Sequence, residues 1–316
     1  MAALKEGIVN LNKPEGIVCM EALTILKKRF KWRKVGHIGT LDPMAGGVLP
    51  ICIGRATKIV QYLIEGEKEY RATIKLGIST QTHDRDGRIT NITEPEKIPL
   101  TSEISEALKE FEGEIEQVPP LYSALKYKGK RLYQIAREGI DPPVIPARKV
   151  NISKIILRDY SYPFIKVDIL CGRGTYIRSI AADLGFKLGI GAHIHSLTRL
   201  RVGTFTIQNA IGLDGVGLDG LDGLDSMYDQ SSDAKPGWFY TIDEALSFIP
   251  SIKIGRQEKE DMFHGRSFNS PEPIQKYYLH ENKRLIKIYD TEVLFLGLAE
   301  CKDSFQLLPA LVFRDC

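Results

Sequence analysis

One fifteen-residue run, GHIGTLDPMAGGVLP from Gly36 to Pro50, limits the conformations open to this chain more than any other segment. Its four glycines permit backbone geometries closed to residues with a Cβ, and its proline fixes the turn directly after Asp42. The run therefore predicts a loop that holds one carboxylate in a defined place, as a functional site requires. An Asp-Pro pair between glycines is also typical of an ordinary turn, in which the carboxylate bonds a neighbouring N–H.

The composition is that of a soluble globular protein, with 43% hydrophobic and 26% charged residues among 316, enough for two domains. No stretch approaches the roughly twenty apolar residues of a membrane span. The N-terminal segment lacks the pattern of a signal peptide. The five cysteines are widely spaced and form no C-x-x-C pair, which argues against a zinc site or a disulfide framework and favours a reducing cytoplasm.

Hydrophobic periodicity predicts a mixture of strands and helices. Strands are expected at residues 7–11, 47–53, 69–76 and 165–171, and helices at 20–30, 56–64, 104–111, 131–138 and 177–188. Because the order shows no regular βαβ repeat, the sequence predicts an α+β domain around a mixed or antiparallel sheet.

A segment rich in basic and aromatic residues follows at 117–139. Its side chains include Lys126, Lys128, Lys130, Arg131, Tyr122, Tyr127 and Tyr133. Such a combination suits a folded RNA, through phosphate contacts and base stacking, and is equally typical of a solvated surface loop.

Two further segments differ in character from the rest. Residues 211–237 are acidic and glycine-rich, with a repeated G-L-D unit that is too irregular for a calcium-binding repeat, so a mobile insertion is expected. Residues 238–316 then form a small β-rich unit, which opens with a capping box between Thr241 and Glu244.

The run around Asp42 resembles the G-H-x-G-T-L-D-P signature of the TruB-type tRNA pseudouridine synthases. Further segments resemble the same family and occur in the family's order. They are NLNKPEGI at 10–17, KEYRATIKLGISTQTHDRDG at 68–87, QVPPLYSALKYKGKRLYQIAREG at 117–139, CGRGTYIRSIAADLG at 171–185 and GAHIHSLTRLRVGTF at 191–205. Together these segments cover nearly all of residues 8–209.

The resemblance implies a domain organisation as well as a fold class. Residues 1–210 would form the α+β pseudouridine synthase catalytic domain, with an RNA-contacting insertion at 117–148. Residues 211–237 would be a Gly/Asp-rich flexible insertion, longer than the connection expected in the family. Residues 238–316 would form a small β-rich PUA-like C-terminal domain, with a looser match than the catalytic domain.

The resemblance also implies three catalytic residues. Asp42 would be the covalent nucleophile, Tyr70 would lie against the target base and handle the C5 proton, and Arg178 would hold the Asp42 carboxylate in a two-point pair. Such a pair would lower the pKa of Asp42 and oppose the rise that burial brings. Because the reaction is an isomerisation, no cofactor and no metal are expected.

Six more residues would contact the RNA. His37 would occupy the space that the extruded base leaves, Tyr176 would lie in the pocket and Leu197 would line it. The three phosphate-binding residues would be Lys128, Lys130 and Arg131. Each of these residue types also has an ordinary structural role, since a lone loop histidine or a buried leucine is more often part of the packing.

The expected activity is conversion of a uridine in the tRNA T-loop, at position 55, to pseudouridine by a cytoplasmic monomer without membrane association or an obligate protein partner. An RNA-binding or RNA-folding module with secondary or lost catalysis is the alternative. An Asp-nucleophile hydrolase fits less well, because no second carboxylate motif accompanies Asp42. Two departures from the family stand out. After KPEG the family usually continues with Thr-Ser, whereas Ile17-Val18-Cys19-Met20 follows here, which predicts a weaker helix cap. Thr198 stands where the family commonly has an arginine, which predicts one fewer phosphate contact.

Overall fold

The structure, a computed structural model, describes residues 6–138, 144–214, 236–271, 273 and 285–314. It divides the chain into two compact units, Met1–Phe239 and Tyr240–Cys316. Parts of both expected insertions, 139–143 and 215–235, lie outside the described residues.

The first unit contains most of the regular structure. Its strands are β1 Gly7–Lys13, β2 Val35–His37, β3 Ala45–Ile53, β4 Lys68–Leu76, β5 Ile78–Thr80, β6 Ile89–Ile92, β7 Gly113–Gln117, β8 Lys126–Tyr127, β9 Lys130–Arg131, β10 Arg148–Ser161, β11 Phe164–Cys171, β12 Ala192–Val202, β13 Phe205–Thr206 and β14 Ile211–Gly212; β15, Phe239–Tyr240, stands at the boundary between the units. Its helices are α1 Cys19–Arg29, α2 Val60–Leu63, α3 Thr101–Lys109, α4 Leu132–Arg137 and α5 Ile177–Lys187, with 3₁₀ turns at Gly54–Ile59 and Ile207–Asn209.

A large sheet forms the centre of this unit, with strand order β14-β1-β3-β12-β4-β11-β10-β7. The β3–β12 and β1–β14 pairs are parallel, whereas β1–β3, β12–β4, β4–β11, β11–β10 and β10–β7 are antiparallel. The prediction of an α+β fold around a mixed sheet is therefore confirmed.

Burial along the strands explains the layering. All nine residues of β3 are buried, as in a strand covered on both faces, whereas β4 alternates between more and less buried positions. The main core includes Leu23 of α1, Ile104 of α3 and Ile180 of α5, packed with apolar residues of the sheet. The functional loop before β3 is thus anchored in the best-packed part of the unit.

One predicted helix, at residues 56–64, is wrong over its first half. The structure has a 3₁₀ turn over Gly54–Ile59, and α-helix only from Val60. The Thr57 hydroxyl donates to the carbonyl of Gly54 at 2.8 Å, three residues back. That short-range bond accompanies the tighter turn in place of regular α-helical pairing.

The second unit is small and β-rich. Its strand order is β16-β18-β19-β20-β17. The bounds are β16 Ser251–Lys253, β17 Phe268–Asn269, β18 Leu285–Tyr289, β19 Phe295–Cys301 and β20 Gln306–Val312, with helices α6 Ile242–Ala245 and α7 Arg256–Phe263. The predicted capping box is present, since the Glu244 amide donates to the Thr241 hydroxyl at 3.2 Å. Among the described residues of both units, no helix is long and apolar enough to span a bilayer.

A close approach of two backbones fixes the middle of the large sheet. Gly47 of β3 pairs with Arg199 of β12 and has a φ of +101°. A Cβ placed at Gly47 would lie 2.2 Å from the carbonyl oxygen of Arg199. Because the obstructing atoms belong to buried backbone, neither strand has a flexible side chain that can yield, and the position requires glycine.

We expect Gly47→Ala to destabilise the protein much more than Gly113→Ala, its matched control. Gly113 has a similar φ, +94°, but nothing lies within 4 Å of its Cβ position. In the control, the free energy of unfolding should therefore fall only by the cost of the backbone conformation, about 1–3 kcal/mol. In Gly47→Ala, the free energy of unfolding should fall by at least about 2 kcal/mol more than in the control. The measurement is urea unfolding of both variants; an equal destabilisation would contradict the close-approach argument.

Candidate active site

The loop between β2 and β3 presents Asp42. The Ala45 amide donates to the Asp42 carbonyl at 3.1 Å, which closes a tight turn through Pro43. About a third of the Asp42 side-chain surface, 36%, is open to solvent. The carboxylate is therefore accessible to a ligand while most of its surface faces protein.

Arg178 grips this carboxylate from the first turn of α5. Its Nε lies 2.8 Å from Asp42 Oδ2, and its Nη2 donates to Oδ1 at 3.1 Å. The Arg178 side chain is only 5% exposed. The structure thus brings together the two residues that the sequence proposed as partners, through one hydrogen bond from Nη2 and a close ion-pair contact of Nε, whose N–H has no hydrogen-bond acceptor among the described residues.

The rest of the Arg178 guanidinium is held by fixed groups. It donates to the carbonyls of Thr82 and Tyr122, each at 2.9 Å, and to Asp84 Oδ2 at 3.2 Å. Asp84 is buried, and its Oδ1 accepts from the Thr82 hydroxyl at 2.5 Å. The sequence did not predict Asp84 as part of the site. Nothing in the local sequence THDRDG, residues 82–87, shows that its carboxylate reaches Arg178.

Burial raises the pKa of the Asp42 carboxyl above its ordinary value. The positive charge of Arg178 opposes this rise, and the negative charge of Asp84 adds to it. The pairing with Arg178 lowers the pKa of Asp42, as the sequence suggested. The net shift of this pKa is nevertheless upward, because desolvation by burial is the largest effect.

Three buried side chains hold the backbone on either side of Asp42. Arg199 donates to the Gly39 carbonyl at 2.9 Å and to the Thr40 carbonyl at 3.4 Å. The Cys19 thiol donates to the Leu41 carbonyl at 3.3 Å and accepts from the Leu41 amide at 3.2 Å.

The third of these side chains, Lys13, acts on the far side of Asp42. Its ammonium donates to the Pro43 carbonyl at 3.4 Å. Lys13 is fully buried, and Arg199 is 1% exposed. The sequence assigned no role in the site to either side chain or to Cys19. As the missing Thr-Ser pair predicted, α1 begins after Val18 with no side-chain cap hydrogen bond, but the neighbouring thiol contacts the functional loop instead.

Tyr70 lies on β4, Tyr176 directly precedes α5, and Leu197 lies on β12. Burial raises the pKa of both tyrosine hydroxyls, and the charge of Asp42 adds a smaller rise to each. The backbone of Tyr176 is fixed by Gln117, which accepts from its amide at 2.8 Å and donates to its carbonyl at 3.1 Å. Leu197 is buried on β12 beside Ala45 of β3.

His37 ends β2, opposite Ile51 of β3, and is half-buried. Burial lowers the pKa of its imidazole, and the charge of Arg199 lowers it further. The ring is therefore neutral at physiological pH. A neutral imidazole can stack on a base or form a hydrogen bond with it, but it offers no charge to a phosphate.

Lys128, Lys130 and Arg131 lie together on the hairpin of β8 and β9. Lys128 occupies its turn with a φ of +46°, as a tight hairpin turn requires. Lys130 Nζ is 2.8 Å from Glu138 Oε2, in an exposed ion pair. The hairpin thus presents its cations to solvent, and one of them already has a partner.

The donor groups around Asp42 do not resemble a metal centre. Within the described residues, no cluster of three or more His, Cys, Asp or Glu side chains has the arrangement of a metal site. The site instead offers the oriented Asp42 carboxylate, a second carboxylate, Asp84, bonded to the same arginine, and several buried cations. Such a site can present a nucleophile to a flat, uncharged ring. The roles of the individual side chains remain predictions.

A family model and the similar curated proteins point to the same family. The model of the "TruB family pseudouridylate synthase (N terminal domain)" matches residues 27–177. The tRNA pseudouridine synthase B of Clostridium tetani is 36% identical over 307 residues, covering 97% of this chain and 99% of that protein. The protein of the same name from Francisella philomiragia is 40% identical over 296 residues, covering 93% and 90%.

Solved structures show the same fold at lower identity. A chain in a Cbf5-Nop10-Gar1 complex matches with a TM-score of 0.72 and 24% identity, covering 99% of this chain and 85% of that one. A chain in an H/ACA RNP bound to a substrate RNA matches with a TM-score of 0.71 and 23% identity, covering 99% and 86%. These likenesses extend over both units of the chain.

We expect two substitutions around Asp42 to move its pKa in opposite directions. A nucleophilic carboxylate must be ionised, so the rate falls as the pH drops through its pKa. Arg178→Gln removes the cation that lowers this pKa and should move the fall to higher pH. Asp84→Asn removes a charge that raises it and should move the fall to lower pH.

The measurement for both variants is the NMR titration of the Asp42 carboxyl carbon, with single-turnover rates recorded in parallel. Both variants should also lower the maximal rate, because each loosens the grip on the carboxylate. If the pKa of Asp42 moved in the same direction in both variants, the opposite effects assigned to Arg178 and Asp84 would be refuted.

Proposed function

The chain belongs to the TruB family of pseudouridylate synthases, and we propose that Asp42 is the nucleophile with which it isomerises a uridine in the T-loop of tRNA, at position 55. The conversion of uridine to pseudouridine in tRNA is the activity of its family. The observation that carries the residue assignment is the accessible Asp42 carboxylate held at two points by buried Arg178.

The reaction exchanges one glycosidic bond for another within the same nucleotide. The N1–C1′ bond breaks, the uracil turns, and a C5–C1′ bond forms; the proton on C5 is lost and N1 gains one, so the composition is unchanged. A covalent bond from Asp42 would divide this exchange into two easier steps. The three buried side chains that hold residues 39–43 support the proposal, because a nucleophile must be kept close to its reacting position.

Tyr70 is proposed to lie against the uracil and to handle the C5 proton. The raised pKa of its hydroxyl keeps the phenol neutral near pH 7, so it can donate and accept a hydrogen bond without carrying charge. Tyr176 and Leu197 would complete the pocket walls. This group of apolar and neutral surfaces fits an uncharged base.

A stacked uracil cannot reach Asp42, so the enzyme must extrude it from the T-loop. The neutral ring of His37, at the end of β2, is proposed to fill or brace the vacated space. We further propose a monomer that acts in the cytoplasm without an obligate protein partner. Cys19, Cys52 and Cys171 are free thiols, which fits a reducing compartment.

We expect Asp42→Asn to abolish pseudouridine formation while tRNA affinity changes little. The amide is nearly isosteric but cannot serve as the nucleophile, and the loop keeps its hydrogen bonds to Arg199, Cys19 and Lys13. The measurement is single turnover on unmodified tRNA with mapping of the modified position, beside a filter-binding titration. Substantial turnover by the variant would refute the nucleophile assignment. Modification by the wild type outside the T-loop would refute the proposed position.

The same assay separates catalysis from RNA binding alone. A module that only binds or folds RNA would leave the uridine unchanged in the wild type as well as in Asp42→Asn. An enzyme converts one uridine per tRNA and loses this conversion with the carboxylate.

We expect replacement of Lys128, Lys130 and Arg131 by Ala to weaken tRNA binding without slowing the chemical step. The slope of log affinity against log salt should fall by about 0.7–0.9 for each phosphate that these side chains neutralise in the wild type. Because Lys130 is already paired with Glu138, it should contribute least when tested singly. An unchanged salt slope in the triple variant would show that this hairpin does not touch the RNA backbone.

A further inference from the structure

A second basic segment lies outside the regions assigned so far. Residues 27–34, KKRFKWRK, contain six Lys or Arg and no Asp or Glu. The whole chain has a formal net charge of only +3, from 43 basic and 40 acidic residues. Without this one segment the chain would be net acidic, so the positive charge is concentrated here.

The segment runs from the last turn of α1 to the start of β2. Five of its cations are exposed: Lys27, Lys28, Lys31, Arg33 and Lys34. Within the described residues, none of these five forms an ion pair with a carboxylate, whereas many other surface cations do, including Lys149, Lys187 and Arg173. We call these five side chains the basic turn.

Stabilisation of the helix end accounts for only part of this charge. Cations in the last turn of a helix interact favourably with its dipole, which suits Lys27 and Lys28. Lys31, Arg33 and Lys34 lie beyond the helix and gain little from it. Like charges so close in sequence repel one another, and no described carboxylate forms an ion pair with them, so a phosphate-bearing partner would relieve the repulsion.

The backbone beneath the basic turn is fixed by aromatic packing. The rings of Phe30 and Trp32 stack with centroids 4.7 Å apart, and Trp32 is buried in the main core. Lys31, between them, has a φ of +53°, which non-glycine residues seldom adopt. The Trp32 amide also donates to the Lys27 carbonyl at 3.2 Å. The cations therefore project from an ordered turn.

The basic turn is close in sequence and space to the candidate active site. Lys34 directly precedes β2, whose last residue is His37, and a strand rises about 3.3 Å per residue. Its backbone is thus about 10 Å from that of His37, a distance of roughly three base pairs along a nucleic-acid helix. An RNA whose base occupies the site has phosphates within reach of this turn.

We propose that the basic turn binds the phosphate backbone of the tRNA substrate. The inference rests on the proposed function for the identity of the RNA, and it adds a binding surface distinct from the hairpin of β8 and β9. The aromatic side chains of the turn are packed in the protein, so the surface offers charge without base stacking. It contributes affinity and orientation but no sequence readout.

The test compares two variants in which the same number of charges is removed. The first variant replaces four members of the basic turn by Gln: Lys27, Lys31, Arg33 and Lys34. The control replaces four cations that the structure pairs with carboxylates elsewhere in the first unit: Arg55, Lys97, Lys149 and Lys187. Thermal unfolding of both checks that they fold.

Affinity for unmodified tRNA is then measured across a series of salt concentrations. The basic-turn variant should bind about tenfold more weakly or worse near 0.1 M salt, and its salt slope should fall by about 0.7–0.9 for each phosphate that the turn neutralises in the wild type. The control should follow the wild type. Single-turnover rates at saturating enzyme should stay within about twofold of the wild type, because no side chain of the turn is placed at the reacting base. Equal affinities and slopes in the two variants would overturn the proposal.

Two further results separate this inference from its alternatives. Binding of wild type to phosphatidylserine vesicles that depends on the basic turn, with tRNA affinity unchanged, would replace RNA by a membrane surface and overturn the proposal. If wild type binds tRNA through the basic turn but forms no pseudouridine, the proposed function fails and the binding surface stands. If pseudouridine forms and tRNA affinity is independent of the turn, the surface fails and the function stands.

Discussion

The position of the Asp42 loop depends on the contact between β3 and β12 at Gly47 and Arg199. The backbone of Arg199 approaches Gly47 so closely that no Cβ fits, and its side chain turns back to hold the carbonyls of Gly39 and Thr40. One residue therefore belongs to the central sheet and to the support of the loop at once. A change in the distance between the two strands would therefore displace the loop that carries Asp42.

The electrostatics of the site follow from an excess of buried cations. Lys13, Arg178 and Arg199 are all buried near Asp42 and Asp84. Most of their donors are directed at backbone carbonyls, which satisfies the cations without neutralising them. The charges of Arg178 and Lys13 favour the ionised form of Asp42, although burial, the largest effect, still raises its pKa.

The sequence predicted the α+β fold and the loop from local patterns, namely glycines, a proline and alternating strands. The Asp42–Arg178 partnership, which crosses 136 positions, came only from the family resemblance. It did not reveal Arg199 or Asp84, whose contacts cross 160 and 94 positions of the chain. Such bonds leave no trace in periodicity or spacing. The basic turn lies outside the motifs that carry the family resemblance, and the mild net charge of the whole chain does not reveal it.

The buried cysteines give the two units separate chemical reporters. Burial raises the pKa of Cys52 to about 12 and that of Cys171 to about 11, and it raises that of Cys19, so these thiols react slowly with alkylating reagents in the folded state. Cys301 is buried in the second unit. Pulsed alkylation followed by peptide mass spectrometry would therefore give the opening free energy of each unit from its own sulfur atoms, without any introduced label.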